Sequence, residues 1–425
     1  MSTVKRFEAK KIDDKFDLIV VGGGLSGTMA AIAAAREGAK VLLVEKYGFL
    51  GGMITSGLVT PFMTYYEKGS RKLANAGLFL NMLERVNALS GSTEPHKGSV
   101  LEEYLKIVLD RMTKEYGVKV LFHSQLCGVD VENGTINSIT VATVSGNIKL
   151  YAKTFIDATG NADLSAFAGM QYKQGRDQDG LCQPMTLCFR LTHVDWDRYD
   201  WNLMQKLYKE KQIEGVITNP REDVLIFRYP INDIMHFNST RIVGKNPVDI
   251  EDYSEAEMIA REQMLELFRL VKDNVPGFED SQIVISAPEL GIRESRRVVG
   301  HYEITADDIL GTTKFEDAIA RGTYEIDIHN PSGNGTDLRY IPENDYYTIP
   351  YRALVPLESN NLLVAGRPIS STHEAHSAFR IMPICTCMGE AAGVAAALAV
   401  KKNCNMIDVP TDELRNILIE NGALV

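Results

Sequence analysis

The hydrophobic pattern opens with Phe16-Asp17-Leu18-Ile19-Val20-Val21, a short β-branched run closed by Gly22-Gly23-Gly24. An apolar run of this length, bounded by glycines, reads as a strand ending in a tight turn. Small residues at Ala30, Ala31, Ala34 and Ala35 then predict a helix over 25–37 that can lie close on a sheet, and Gly38 is its expected left-handed stop. Val41-Leu42-Leu43-Val44 predicts a second strand, ending in Glu45. Such a strand–helix–strand unit crosses over right-handed in nearly every case, so the chain begins as half of a doubly wound sheet.

Residues 48–64, with Gly48, Gly51, Gly52 and Gly57, are expected to form an irregular loop. A helical period returns over 101–116, and 118–122 predicts a further buried strand. Residues 129–150 alternate around Asn133-Gly134 and Ser145-Gly146, the chemistry of hairpin turns, and predict a small antiparallel meander. Thr154-Phe155-Ile156 is expected as another strand, running into Asp157-Ala158-Thr159-Gly160. Strands over 185–191, 224–229 and 282–286 and helices over 202–211 and 254–272 then suggest an inserted α+β domain. After Tyr346 the first grammar resumes with Leu362-Leu363-Val364-Ala365 and Gly366-Arg367. Residues 383–400 hold one charged residue, Glu390, which marks an enclosed helix opened by Pro383. The expected fold class is α/β. A Rossmann-like nucleotide-binding domain of central parallel sheet plus β-meander spans 16–165 and 345–425, interrupted by a substrate or cap domain over 166–344.

Composition narrows the function. Of 425 residues, 45% are hydrophobic and 24% charged, which excludes a disordered or fibrous chain. The net charge of -11 repels phosphate backbones, so nucleic acid is not the expected partner. No stretch comes near the roughly 18 apolar residues of a membrane span. Lys5, Arg6, Lys10, Lys11 and Lys15 are not followed by a secretory apolar region, with Asp13 and Asp14 interrupting. The chain is therefore expected to be cytoplasmic, with no membrane partner. Six cysteines without a CxxC pair offer neither a disulfide scaffold nor a metal or iron–sulfur site, so redox work needs another carrier.

Gly22-x-Gly24-x-x-Gly27 follows a strand and opens a helix, where backbone N–H groups and the helix dipole can face a pyrophosphate. Glu45, at the end of the second strand, is placed to accept ribose hydroxyls. Three further small-residue elements, Gly51-Gly52, Ala158-Thr159-Gly160 and Gly389-Glu390-Ala391-Ala392-Gly393, are candidate close approaches to a long two-part cofactor. The helix opened by Pro383 would place about half a positive charge beside a flavin's pyrimidine edge; its plainer reading is a core element.

With residues 17–27, Glu45-Lys46, Leu50-Gly51-Gly52 and 157–160, the sequence resembles the FAD fingerprints of the glutathione-reductase-like superfamily, on the side of its succinate dehydrogenase/fumarate reductase branch. Residues 291–297, Asp327-Ile328-His329, 363–367 and 389–393 resemble more narrowly the FAD-dependent oxidoreductase family. The likeness spans almost the whole chain. It implies non-covalent FAD held by Gly22, Gly24, Leu25, Ser26, Gly27, Glu45, Lys46, Gly51, Gly52, Met53, Cys127, Ala158, Thr159, Gly160, Gly366, Arg367, Gly389, Ala391 and Ala392. The loop over 46–60 has no His or Cys for a covalent flavin link. Gly333-Asn334-Gly335 sits in a polar turn, so no second dinucleotide motif is present.

The flavin would carry the hydride, leaving the protein to orient substrate, move a proton and compensate charge. His373, His376 and Arg380 fall in the segment expected to pass the flavin ring, where His373 suits acid–base work and Arg380 anion binding. His329 could reach the flavin from the inserted domain. For these histidines the alternative is a hydrogen-bonded place in a packed loop. Arg293, Arg296 and Arg297 could clamp a substrate carboxylate or the pyrophosphate, or be internally paired, for instance with Glu294. The expected activity is hydride transfer between FAD and a small, perhaps carboxylated, molecule, with an external electron donor or acceptor. A tRNA-modifying flavoprotein of the GidA type and a flavin electron-transfer subunit are the alternatives.

Overall fold

The computed structural model describes residues 10–12, 14–91 and 100–425; Lys5, Arg6 and Asp13 of the leader argument lie outside them. Strand β1 (Lys15–Val21) feeds helix α1 (Leu25–Arg36), which returns to β2 (Val41–Val44). β1 pairs in parallel with β2 on one side and with β6 (Gly146–Asp157) on the other. The sheet is extended in parallel by β3 (Lys119–Leu121) beside β2 and by Leu362–Val364 beside β6. Leu18 and Val20 pack into the core shared with α1, while Ile19 and Val21 pack against the meander side. Burial on both faces is why β1 reads as a continuous apolar run and does not alternate.

The meander is β4 (Gln125–Glu132), β5 (Thr135–Thr143) and the first part of β6, all antiparallel. Asn133 and Gly134 both take positive φ, 48° and 76°, as its first turn requires. The strand expected separately at Thr154 is the continuation of β6, whose first residues pair with β5 and whose last pair with β1. The strand expected as buried, β3, is an edge strand paired only with β2, so Lys119 is exposed and Val120 and Leu121 half-buried.

Two helices lie side by side on the sheet, α1 and the C-terminal helix Met382–Lys402. A Cβ on Gly393 would stand 2.1 Å from the Ala30 carbonyl oxygen, so glycine is what allows the helices to approach. Glu390 pairs with Arg36 at 2.9 Å and accepts from the Leu78 N–H at 2.9 Å. It thereby caps a helix, Leu78–Ser90, that is absent from the sequence-based expectations. Met382–Lys402 is also long and apolar enough to cross a membrane, against the expectation that no stretch comes near; here it is buried within the fold.

Within 166–344, a four-stranded antiparallel sheet runs in the order Gln282–Ser286, Phe189–Thr192, Met235–Phe237, Ile226–Arg228. Helices Trp201–Ile213 and Ile250–Asn274 build a separate core on it around Phe189, Met204, Tyr208, Phe237 and Leu267. Residues farther along, Val298, Ile309, Ile319, Tyr324 and Ile326, pack into the core of the nucleotide-binding half. Strand Ala318–Gly322 pairs with Tyr347–Pro350, and Ile326–His329 forms a hairpin with Thr336–Arg339.

Candidate active site

The ends of β1, β2, β6 and Leu362–Val364 open onto a crevice. Gly22, Gly24, Leu25, Ser26, Glu45, Lys46, Gly51, Gly52, Met53, Ala158, Thr159, Gly160, Gly366 and Arg367 all line it. Gly22 turns the chain at φ 100°, where a Cβ would strike the Ala158 carbonyl. Gly24 is the N-cap of α1 and brings no side-chain cap, which leaves the first-turn N–H groups for a ligand. A Cβ there would find only the Gly52 Cα, at 3.8 Å, so the space over the turn is open.

Glu45 is buried, and burial raises its carboxyl above the usual range. One oxygen accepts from the Gly23 N–H at 2.6 Å and the other from the Tyr47 N–H at 2.8 Å. The acid at the end of β2 therefore fixes the glycine turn as well as facing the crevice. From the opposite side, Met382 and Cys385 in the first turn of the C-terminal helix reach the crevice, and the Cys385 carbonyl accepts from Ser26 Oγ at 2.8 Å. The half-buried Arg367 donates through Nη2 to the Gly160 carbonyl at 3.1 Å, while its Nε is enclosed without a partner among the described residues. An open pyrophosphate cradle, an acid beside it, an unspent guanidinium and a second helix N-terminus suit FAD.

Five expected contacts take other places. Cys127 is exposed on β4, although its neighbours Gln125 and Leu126 line the crevice. Gly389 lies against Ser26 at the helix crossing, and Ala391 and Ala392 are buried in the core. A small residue serves close helix packing as well as close ligand approach, and these three serve the packing. Gly27 likewise seats α1 on the sheet: a Cβ there would come 1.9 Å from the Gly22 carbonyl oxygen.

A second cavity adjoins the crevice and shares Met53, Ile292, Arg367, Arg380 and Met382 with it. Its walls are largely apolar, with Val59, Pro61, Met63, Leu225, Phe227 and Ile381. Into it the fold brings Arg293, His329 and Arg380, three of the four residues expected to carry chemistry. Arg293 is half-buried; it donates to the Pro184 carbonyl at 2.7 Å and to the Thr186 hydroxyl, and has no carboxylate at ion-pair distance among the described residues. Burial, then the charges of Arg380, Arg221 and Arg241, push its guanidinium down to about 9. Arg380 donates to Asp327 Oδ2 at 3.2 Å, and its Nε is buried without a partner among the described residues. His329 lies 3.7 Å from Asp327 Oδ1 through Nε2 and 2.9 Å from Arg241 Nη2 through Nδ1. Burial first, then Arg293, Arg380, Arg221 and Arg241, hold it well below the usual histidine range.

The fourth residue, His373, is elsewhere. It is buried, with Nδ1 2.9 Å from Glu294 Oε1, and borders a separate open groove with Arg176, Ile328 and Glu374. Glu294 also binds Arg297, and Arg296 pairs with Asp163 at 2.9 Å, so two of the clustered arginines are internally paired and only Arg293 is left facing the cavity. Arg221, Tyr324 and Asp327 at this cavity, and Arg241 behind His329, carry no role in the sequence-based expectations. Asp327 was legible: it is two residues before His329 on a strand, hence on the same face. The arginines, on unrelated segments, carried no such signal.

A FAD dependent oxidoreductase family model matches residues 17–418. The chain belongs to that family; it is an enzyme, and its cofactor is FAD. It is 25% identical over 223 residues to a digeranylgeranylglycerophospholipid reductase of Methanococcus vannielii, covering 49% of this chain and 53% of that protein. It is 36% identical over 152 residues to a dihydrolipoyl dehydrogenase of Acholeplasma laidlawii, covering 35% and 41%. The chain thus spans about half the length of the curated relatives it matches, or less. The crystal structure of a geranylgeranyl bacteriochlorophyll reductase-like protein from Thermoplasma acidophilum superposes with a TM-score of 0.50 at 15% identity, over 96% of this chain and 84% of that one. That likeness supports the fold.

Proposed function

We propose that this enzyme transfers a hydride between FAD, held without a covalent bond, and a small carboxylated substrate seated in the cavity beside the crevice. The observation that carries the reading is Arg293, a half-buried guanidinium without a carboxylate of its own among the described residues, on the wall of a cavity continuous with the crevice. A charge partly removed from water without a counter-ion is costly, and an anionic ligand offsets that cost. FAD supplies the two-electron chemistry when bound. The chain's own residues do the rest. Arg293 and Arg380 hold the anionic group, Val59, Pro61, Leu225 and Phe227 exclude water around the remainder, and Asp327 holds Arg380 and faces His329. The shared residues Arg380 and Met382 put the anionic end of the substrate next to the flavin side of the cavity.

With no second dinucleotide motif in the sequence, the other half-reaction uses an external electron donor or acceptor. The resemblance to the succinate dehydrogenase/fumarate reductase branch of the glutathione-reductase-like superfamily, and a cytoplasmic location, belong to the same proposal. A walled cavity with directed cations favours a substrate enzyme over an electron-transfer subunit. The test is anaerobic: a panel of small carboxylic acids, each paired with its amide, is mixed with the oxidised and with the reduced protein, and the flavin band is followed. Acids should bleach or restore it while their amides do not. Equal response to acid and amide would remove the role given to Arg293.

A further inference from the structure

We infer that His329 is a fixed hydrogen-bond donor to a substrate oxygen and not the titrating acid–base of this site, because Arg241 takes up its other ring nitrogen. The inference rests on the proposed function only for the identity of what it faces. Arg241 is buried and held by the Glu222 carboxylate at 2.7 Å, with the Gly333 and Gly335 carbonyls at 3.3 Å. Its Nη2 lies 2.9 Å from His329 Nδ1. A guanidinium nitrogen donates and cannot accept, so Nδ1 must present its lone pair, and the ring proton sits on Nε2. The only other polar atom near Nδ1 among the described residues is Thr336 Oγ1, at 3.5 Å, whose own proton goes to Glu222 Oε1 at 2.9 Å.

A second proton on the ring would have to displace Arg241 from Nδ1. The surroundings oppose it from every side: Arg221 and Arg241 from the second sheet's neighbourhood, Arg293 from the 291–297 segment and Arg380 from the approach to the C-terminal helix all face the ring. Asp327 and Glu222 are the facing carboxylates; Arg380 and Tyr324 engage the first and Arg241 the second. Nε2–H is left toward Asp327 Oδ1, 3.7 Å away and too long for a committed hydrogen bond. It is thus available to a carbonyl, hydroxyl or carboxylate oxygen of a molecule in the cavity. Arg241 is a positioning residue, acting through the imidazole.

The wild-type holoenzyme, labelled with ¹⁵N at histidine and assigned with His329→Gln, should show an imine-type Nδ1 and a protonated Nε2 that do not move between about pH 5.5 and about 8.5. In kinetics with a flavin-reducing acid, His329→Ala should lose about 10²-fold in rate, while His329→Gln, whose amide still donates, should stay within about 10-fold of the parent. Arg241→Met should release the tautomer, so that a protonated Nδ1 becomes detectable in the spectrum alongside the protonated Nε2. A wild-type His329 that titrates near neutrality, or a protonated Nδ1, overturns the inference even if Arg241→Met does not fold. If no acid reacts with the flavin, the proposed substrate class fails while the spectrum still decides the tautomer.

Discussion

Gly389 of the C-terminal helix lies against Ser26 of α1 so closely that a Cβ on it would stand 2.1 Å from the Ser26 carbonyl oxygen. Ser26 also donates to the Cys385 carbonyl, so the same contact sets where the C-terminal helix begins relative to the glycine turn. Gly389→Ala should therefore push two helices apart and cost about 1–3 kcal/mol, the range for overpacking a dense interior. Thermal melts should show the loss in both apo and FAD-loaded protein. An unchanged melting temperature would mean that the crossing has slack that the static distance hides.

Gly24→Val addresses the same turn from the open side. No side chain opposes a Cβ there, since the nearest atom is the Gly52 Cα at 3.8 Å. The branched side chain should occupy the space above the α1 N-terminus that a pyrophosphate needs. The expected result is a folded, colourless protein whose melt is close to that of the apo parent. A yellow variant with one FAD per chain would move the pyrophosphate off this turn.

The contrast between Gly24 and Gly389 marks what sequence could reveal. Gly24 was legible because strand, turn, helix and Glu45 are close in the chain and each constrains the next. Gly389 carries the same chemistry of smallness, and only the partner across the helix tells whether that smallness admits a ligand or another backbone. The helix Leu78–Ser90 was also readable, since Leu78, Phe79, Met82, Leu83 and Val86 recur on one face. The second cavity was not: Arg293, His329 and Arg380 meet only through the packing of separate elements. His373 and Glu294, far apart in sequence, find each other the same way.

If Arg293 and Arg380 hold a carboxylate, Arg380→Lys should raise the KM for a reactive acid by about 10-fold or more, because an ammonium cannot reproduce a two-pronged contact. Arg293→Met, which keeps a long side chain but no charge, should weaken binding further. Both should retain full FAD, measured by absorbance after acid release. Loss of FAD in parallel with substrate affinity would place these residues on the cofactor instead.

His236 predicts an acid-sensitive fold. It is fully buried in the second sheet, opposite Arg190 and Phe227, with both ring nitrogens lacking partners among the described residues. Burial lowers it from 6.5 to about 3. Between those values the unfolded chain binds a proton that the folded one refuses, so stability is intact above about pH 6.5 and falls as pH drops toward 3. His236→Phe should flatten part of that slope, with His329 and His376, also lowered by burial, accounting for more of it. Denaturant melts at neutral and mildly acidic pH measure the difference, and an unchanged slope in the variant would mean the ring is hydrated in the fold.

The two histidines first expected to do similar work should separate by experiment. His373 bonds to Glu294, a fully buried carboxylate that also binds Arg297, and it borders neither the crevice nor the apolar cavity. Removing the imidazole takes one of the side-chain hydrogen-bond partners from a buried acid, a loss expected to cost about 1–3 kcal/mol of stability. His373→Ala should thus melt earlier and yet, at a temperature where it is folded, exchange electrons between flavin and substrate at nearly the parent rate. His329→Ala should do the reverse, with a near-parent melt and a slow reaction. A slow His373→Ala that melts like the parent would return that residue to the chemistry and require a route from the groove beside Arg176 to the flavin.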